Sequence, residues 1–282
     1  MRRNIKTVKF NNSLHVFDFP IVMGILNVTP DSFYSTSRNV SEIEILHSAE
    51  KILTEGANII DIGGFSTRPN AEMVHQDEEI RRVCVAIELI LKRFPTTVIS
   101  VDTFRAGVAE VVCRNYNVRI INDVGGGMWD ERMFETIART HAAYILMHTS
   151  PAMCSMTVPC EYDNIAAEVI SFFNNRIKKL NELNINDIIL DFGFGFAKNT
   201  EQNYDLFSKI KYFDVFDLPL LVGISRKSML QRLLGVDSGG ALNGTSSLNT
   251  LALVQGADIL RVHDVHEAVE AVKIYKKVES FN

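Results

Sequence analysis

Short, almost continuously apolar runs alternate with longer segments of helical periodicity along most of this 282-residue chain. The apolar runs are rich in Ile, Val and Leu and lack the strict alternation of a half-exposed strand. Continuous runs are typical of parallel strands, because helices cover both faces of a parallel sheet. The pattern predicts strands at residues 21–28, 58–64, 97–103, 119–124, 143–148, 188–193, 218–225 and 259–264.

Segments with apolar positions three and four residues apart lie between these runs and predict helices. They are residues 41–55, 76–94, 105–115, 131–140, 164–183, 203–210, 227–234 and 265–278. Such strand–helix units favour a closed (β/α)8 barrel, the TIM barrel, in a single domain over residues 1–282. An open doubly wound sheet is the alternative. Residues 5–17 predict a short N-terminal hairpin that plugs the barrel bottom, and residues 243–256 predict an extra helix before the last strand.

Polar residues stand at or next to the ends of the predicted strands. In this fold the active site lies at the carboxyl ends of the strands. Buried polar groups need hydrogen-bond partners, so a rim rich in Asp and Asn predicts a ligand with several donors and acceptors. The residues at these ends are Asn27, Asp61, Asp102, Asn122, His148, Asp191, Ser225 and His263.

The composition and charge of the chain argue against several classes of protein. A hydrophobic content of 46% supplies a large single core, and a net charge of −5 argues against a nucleic-acid-binding protein. No apolar stretch is long enough for a membrane span, and the basic N-terminus lacks the apolar segment of a signal peptide. The cysteines lack metal-binding spacing, so we expect reduced thiols in a cytoplasmic protein at Cys84, Cys113, Cys154 and Cys160.

Several segments resemble the motifs of the dihydropteroate synthase family, in the family's order. The resemblance is most specific at NVTPDSF, SRKS and RVHD, which lie at the carboxyl ends of predicted strands or in the loops that follow them. The matching segments are ILNVTPDSF (25–33), GANIIDIGGFSTRP (56–69), SVDT (100–103), IINDVGG (120–126), ILMH (145–148), ILDFGFGF (189–196), LLVGISRKS (220–228) and ADILRVHDV (257–265).

The resemblance implies a transferase of folate biosynthesis. Such an enzyme condenses (7,8-dihydropterin-6-yl)methyl diphosphate with 4-aminobenzoate and releases 7,8-dihydropteroate and diphosphate. The amine of 4-aminobenzoate is a weak nucleophile, and the sequence offers no base at a matching place. A dissociative reaction, in which diphosphate leaves first, is therefore expected, as the resemblance also implies. Inhibition by sulfonamides and a homodimer formed through the last helices are implied by the resemblance as well.

The resemblance assigns pterin binding to polar residues from different strands. Asp102, Asn122 and Asp191 would bind the donor-rich edge of the ring, and Lys227 its carbonyl edge. Helix capping by a strand-end aspartate is the alternative reading for Asp102. The resemblance also implies residues that line the ring faces or leave room for them, namely Val124, Met147, Phe196 and Gly223.

The diphosphate site implied by the resemblance combines positive charge with a metal ion. Arg261 and His263 stand two residues apart on a predicted strand, so their side chains point to the same side. Thr67 and Arg68 would add a hydroxyl and a guanidinium. Asn27 would contact a Mg²⁺ ion through its amide oxygen. The residues expected to be catalytic are Asn27, Arg68, Lys227, Arg261 and His263.

By the same resemblance, a third group of residues forms the pocket for 4-aminobenzoate. Ser228 lies at the N-terminus of a predicted helix, whose N–H groups favour a carboxylate. Phe33, if it were exposed on a loop without a ligand, would be unusual. The residues implied are Phe33, Thr67, Pro69, Phe196 and Ser228.

The sequence departs from the family pattern in three segments. Residues 34–37 read Tyr-Ser-Thr-Ser where the family usually has Ser-Asp-Gly-Gly, and Phe65 replaces a glutamate. Trp129 is also atypical and is expected only to pack. Two alternative functions remain: a barrel that transfers a methyl group from methyltetrahydrofolate to a corrinoid protein, and a non-catalytic pterin-binding partner subunit.

Overall fold

The computed structural model describes residues 5–10, 13–29, 38–65, 74–149 and 159–281. Eight parallel strands form a closed barrel in the order β10-β3-β4-β5-β6-β7-β8-β9, and β1 and β2 form a separate antiparallel pair. This confirms the predicted (β/α)8 barrel with an N-terminal hairpin. The strands are β1 Lys6–Phe10, β2 Ser13–Phe17, β3 Ile21–Asn27, β4 Ile59–Gly63, β5 Ile99–Asp102, β6 Ile120–Asp123, β7 Ala143–Met147, β8 Ile188–Asp191, β9 Leu220–Val222 and β10 Ile259–Val262.

Helices follow the barrel strands and surround the barrel, and α8 is the extra helix expected between the last two strands. The helices are α1 Arg38–Thr54, α2 Gln76–Arg93, α3 Ala106–Tyr116, α4 Met133–Thr140, α5 Ile165–Glu182, α6 Thr200–Ser208, α7 Ser228–Leu234, α8 Leu242–Val254 and α9 Val265–Glu279. A 3₁₀ helix at Ile210–Phe216 was not predicted. This helix buries Ile210 and Phe213, which are three residues apart. One such pair in a short segment does not produce the repeated spacing by which an α-helix is recognised in a sequence.

Local sequence fixes several helix ends. The side chain of Asn199 accepts the N–H of Gln202, and the side chain of Gln202 accepts the N–H of Asn199, which completes a capping box at α6. At α5 the side chain of Asn164 accepts the N–H of Ala167 and caps the helix. Gly235 ends α7 in the left-handed conformation that glycine adopts at least cost.

Two apolar layers lie on opposite sides of the barrel wall. Ile60 and Ile62 of β4 point outward into the large core shared with the helices. Ile59 points inward and belongs to a second cluster with Val8 and Phe17 of the hairpin. The hairpin therefore closes the lower end of the barrel, as expected, and leaves the inward positions at the upper end for polar residues.

A buried lysine anchors the hairpin. Lys6 Nζ donates to Asp214 Oδ1 at 2.9 Å and to Asp258 Oδ2 at 3.3 Å. Asp258 is fully buried, and the same oxygen accepts the N–H of Leu220 at 2.8 Å. Because Asp258 directly precedes β10 and Leu220 begins β9, one side chain ties the hairpin to the last two barrel strands.

Replacing Lys6 with methionine should lower the free energy of unfolding by about 3 kcal/mol, because it leaves the buried Asp258 without its countercharge. Lys9→Met is the matched control on the same strand, since the Lys9 side chain is exposed, and should change stability by about 0.5 kcal/mol or less. Urea denaturation of both variants measures the difference. Equal effects of the two substitutions would show that the buried ion pair does not anchor the hairpin.

In the described part of the chain, Cys84, Cys113 and Cys160 are free thiols. Burial raises the pKa of Cys113 to about 11, so this thiol is unreactive at neutral pH. Cys154 lies outside the described residues. None of the described helices is both long enough and apolar enough to cross a membrane.

Candidate active site at the carboxyl ends of the strands

Polar residues predicted for the pterin and diphosphate sites meet at one rim of the barrel. The register places Asn27 beside Gly63, Gly63 beside Asp102, and Asp102 beside Asn122, so neighbouring strands end at the same level. Asp191 ends β8 beside Met147. Because inward-facing residues of a barrel converge on its axis, residues far apart in sequence share one cavity mouth.

Arg261 of β10 is the centre of this rim. Its Nε donates to Asp61 Oδ2 at 2.7 Å, and its Nη2 donates to Asp102 Oδ2 at 2.6 Å. Asn122 Nδ2 donates to the same Asp61 oxygen at 3.0 Å. Asp61 was noted as a strand-end residue but given no role, and it is the fully buried carboxylate that orients both Arg261 and Asn122.

Some oxygen atoms of this network have no partner. Asp61 Oδ1 and Asn122 Oδ1 are buried, and neither makes a hydrogen bond to the protein. A buried polar atom without a partner is costly, so these acceptors favour a ligand or a water molecule that donates N–H or O–H groups.

Lys227 lies directly before α7, after β9, the strand that pairs with β10. Its Nζ donates to the carbonyl of Phe194 and lies 4.7 Å from the centroid of the Phe196 ring. Asp191 Oδ1 accepts the N–H of Gly193 at 2.8 Å. The turn that follows β8 therefore contacts both Asp191 and Lys227, two of the predicted pterin ligands.

Burial and neighbouring charges perturb the protonation of the rim. Burial raises the pKa of Asp102, and the adjacent Arg261 opposes this shift. Burial likewise raises the pKa of Asp191, and the charge of Lys227 opposes this rise. Burial lowers the pKa of Lys227 to about 8, although Asp191 favours its charged form. Such clusters of perturbed groups in a cavity are typical of functional sites.

An apolar wall borders the polar rim. Val124 and Met147 are buried in a cluster with Phe65 and Phe104, and Phe196 packs against it. A β-carbon added at Gly223 would lie 3.8 Å from the Arg261 Cβ, so the glycine leaves room beside the arginine. A flat heterocycle could lie between this wall and the charged rim.

Phe65, the residue that replaces the family's glutamate, is part of this wall. Its ring meets Phe104 edge-on at 5.5 Å, and Phe104 meets Trp129 at 5.5 Å, which confirms a packing role for Trp129. The guanidinium of Arg105 lies over both phenylalanine rings and pairs with the fully buried Glu79. At the position where the family pattern predicts a carboxylate, the Phe65 ring thus makes an aromatic contact with a cation.

His263 and Ser228 lie at the edge of the same rim. His263 Nδ1 is 3.0 Å from Ser225 Oγ, which also accepts the His263 N–H at 3.2 Å. Ser228 is exposed at the first position of α7. Arg226, which was not singled out from the sequence, makes two hydrogen bonds to Asp264, at 2.9 and 2.7 Å, and so joins the loops after β9 and β10.

Asn27 has the chemistry expected of a magnesium contact. It ends β3 partly exposed, and its Oδ1 would lie 3.2 Å from a β-carbon added at Gly63, so a larger residue at position 63 would crowd this oxygen. Among the residues described, no three His, Cys, Asp or Glu side chains could hold a metal by themselves. Mg²⁺ commonly takes one or two protein oxygens and completes its shell with phosphate and water, and Asn27 fits that use.

Four of the predicted residues cannot be placed in the rim. Phe33, Thr67, Arg68 and Pro69 lie outside the described residues, as do residues 34–37. Their assignments to the 4-aminobenzoate and diphosphate sites therefore stay predictions, as do the roles of the residues that the rim brings together.

Comparison with known proteins agrees with this geometry. Residues 23–263 match the family described as "Pterin binding enzyme". The dihydropteroate synthase of Escherichia coli K12 is 41% identical over 257 residues, which is 90% of each chain. The structure of Yersinia pestis dihydropteroate synthase with a sulfonamide drug complex matches with a TM-score of 0.88 at 37% identity, covering 97% of this chain and 99% of that one.

A second solved structure extends the comparison. Xanthomonas albilineans dihydropteroate synthase with 4-aminobenzoic acid matches with a TM-score of 0.89 at 31% identity, covering 98% of each chain. The sequence comparison and the structure comparison thus identify the same family over nearly the whole chain. The chain belongs to the pterin-binding enzymes and, within them, to the dihydropteroate synthases, which are transferases.

Proposed function

We propose that this protein condenses (7,8-dihydropterin-6-yl)methyl diphosphate with 4-aminobenzoate to give 7,8-dihydropteroate and diphosphate. The observation that carries the proposal is the convergence of Arg261, Asp61, Asp102 and Asn122 on one hydrogen-bonded network. It combines acceptors for a donor-rich ring with a guanidinium suited to a phosphate group. Membership of the dihydropteroate synthases supports the same reaction.

In this proposal the pterin ring lies in the barrel mouth. Asp102, Asn122 and Asp191 accept hydrogen bonds from its ring and amino N–H groups, and Lys227 donates to its carbonyl edge. The unpartnered Asn122 Oδ1 supports this orientation. Val124, Met147 and Phe196 line the ring, and Gly223 leaves space for it.

The reaction proposed is dissociative. The diphosphate leaves first, and the electron-rich dihydropterin stabilises the methylene cation that remains. Arg261, His263, Thr67 and Arg68 stabilise the departing anion, while the carboxylates of Asp102 and Asp191 stabilise the positive pterin. Mg²⁺ bound through Asn27 would supply further positive charge for the diphosphate.

A normal secondary deuterium isotope effect at the methylene group is expected, and its absence would contradict the dissociative order.

For the second substrate we propose a pocket at the outer edge of the rim. Phe33, Pro69 and Phe196 would hold the benzoate ring, while Thr67 and Ser228 would bind its carboxylate. The Xanthomonas albilineans structure contains 4-aminobenzoic acid, and the Yersinia pestis structure contains a sulfonamide. We therefore propose that sulfonamides compete with 4-aminobenzoate in this protein.

A product assay tests the proposed function. The protein should form 7,8-dihydropteroate and diphosphate in equal amounts, only when both substrates and Mg²⁺ are present. A protein that binds the pterin but forms neither product would be a non-catalytic pterin-binding subunit. Methyl transfer from methyltetrahydrofolate to a corrinoid acceptor would instead identify the methyltransferase.

We further propose that the protein is a cytoplasmic homodimer. Leu251 and Val254 of α8, and Ile274 and Val278 of α9, are large apolar side chains exposed on two adjacent helices. Exposed apolar groups on neighbouring helices are typical of subunit interfaces. Sedimentation equilibrium should give a dimer in the parent protein and a monomer after Val254→Glu and Ile274→Glu together.

A further inference from the structure

The turn after β8, residues 192–198, adopts a conformation that needs close support. Gly193, Gly195 and Ala197 have positive φ angles of 61°, 82° and 51°. A β-carbon added at Gly193 would lie 2.0 Å from the carbonyl oxygen of His148, so the turn packs directly against the backbone after β7. This backbone lies outside helices and sheets, so its polar groups need other partners; the Gly193 carbonyl accepts the N–H of Phe196 at 3.0 Å.

Lys198 adds side-chain hydrogen bonds to the backbone of the turn. Its side chain is buried, and Nζ donates to the carbonyls of Gly193 at 3.0 Å and Phe196 at 3.1 Å. Asn203 of α6 completes the support, because its Oδ1 accepts the N–H of Gly195 at 2.7 Å and its Nδ2 donates to the Lys198 carbonyl at 3.2 Å. The Lys198 ammonium thus links two carbonyl groups of the turn.

The same turn holds the candidate pterin ligands. The N–H of Gly193 binds Asp191, while the carbonyl of Gly193 binds Lys198. Lys227 donates to the carbonyl of Phe194 and lies over the ring of Phe196, whose carbonyl also binds Lys198. Each contact of the turn with Asp191 or Lys227 is therefore on a residue that Lys198 binds, or on the residue next to one.

We propose that Lys198 is a positioning residue that sets the orientation of Asp191 and Lys227 for pterin binding. The inference rests on the proposed function, because it assumes that these two residues bind the pterin. Lys198 does not itself touch the substrate in this proposal. It acts through the backbone of the turn and through its charge.

The charges around Lys198 give the proposal a second consequence. Burial lowers the pKa of Lys198 to about 7, with Lys227 acting in the same direction and Asp191 and Cys160 opposing. In return, charged Lys198 lowers the pKa of Asp191, together with Lys227 and Arg261. His148 also interacts with Lys198, and burial, together with the Lys198 charge, lowers the pKa of this imidazole and favours its neutral form. Removing the ammonium should therefore raise the pKa of Asp191.

The test measures binding of 6-hydroxymethylpterin and of inorganic diphosphate by calorimetry between pH 5 and pH 8. Lys198→Met should weaken pterin binding about tenfold at pH 7 and leave diphosphate binding within about twofold. The loss of pterin affinity on acidification should begin at a higher pH than in the parent, because Asp191 is protonated sooner. If Lys198 only stabilised the fold, replacing it would not change the pH at which pterin affinity begins to fall.

Two further variants keep the test decisive. Lys198→Gln retains a hydrogen-bond donor but removes the charge. It should bind the pterin more tightly than Lys198→Met, and its affinity should begin to fall at the same raised pH. This variant keeps the test possible if Lys198→Met does not fold. Lys178→Met is the control, because Lys178 is exposed on α5, and should match the parent. Unchanged affinity and pH dependence in both Lys198 variants would overturn the proposal alone. Failure of the parent protein to bind the pterin would instead overturn the proposed function.

Discussion

Replacing Arg261 with methionine should lower kcat by about 10²- to 10³-fold and weaken pterin affinity by much less. In the proposed reaction, the guanidinium stabilises negative charge that develops as the diphosphate departs, whereas the pterin ring depends mainly on Asp102, Asn122 and Asp191. Steady-state kinetics and direct pterin binding measure the two effects separately. Equal turnover in the variant and the parent would remove Arg261 from the catalytic machinery.

A second variant separates this catalytic loss from a loss of stability. Arg261→Met leaves the carboxylates of Asp61 and Asp102 without their countercharge, and removing one partner of a buried pair costs about 3 to 5 kcal/mol. Combining it with Asp61→Asn removes one of these charges. The double variant should therefore regain part of the free energy of unfolding while turnover stays low. Recovery of turnover together with stability would show that Arg261 acts only on the fold.

Replacing Lys227 with alanine should weaken pterin binding about 100-fold. The substitution removes a proposed charged hydrogen bond to the ring, the contact with the Phe194 carbonyl and the cation held over Phe196. Lys211→Ala is the control, because that lysine is exposed on the 3₁₀ helix. Fluorescence or calorimetric titration with 6-hydroxymethylpterin measures the change, and equal affinity in the two variants would exclude Lys227 from the pterin site.

The pH dependence of pterin binding gives Lys227 an independent check. The pKa of Lys227 is lowered to about 8, and the charged amine is the form that donates most strongly. The contribution of Lys227 is therefore complete below that pH and declines as the pH rises through about 8. The Lys227→Ala variant should lack this alkaline decline, and its persistence there would assign the decline to another group.

The loop that contains Phe65 illustrates how far a local departure can be read from sequence. The sequence alone identified the loss of a carboxylate. The structure shows that the aromatic ring packs on Phe104 and under Arg105, whose charge is taken up by Glu79. Glu79 lies on α2, the next helix along the chain, and Arg105 directly precedes α3, so this compensation could not be inferred from the loop itself.

Residues that act through tertiary contacts were the ones that the sequence did not assign. Asp61 orients Arg261 across 200 positions of sequence, and Arg226 pairs with Asp264 across 38. Lys198 is more local, but its partners are backbone carbonyls, which every residue has. None of these roles has a periodicity or spacing that a linear pattern can display.

The sequence by itself determined the strand–helix alternation, the closed barrel, the hairpin and the polar ends of the strands, because periodic burial of apolar side chains is a local property. Only the tertiary structure decided which polar ends pair with each other, which oxygens are left without a partner, and how burial shifts the pKa values of Asp102, Asp191 and Lys227. Those properties depend on distance and dielectric environment, and closure of the barrel sets both.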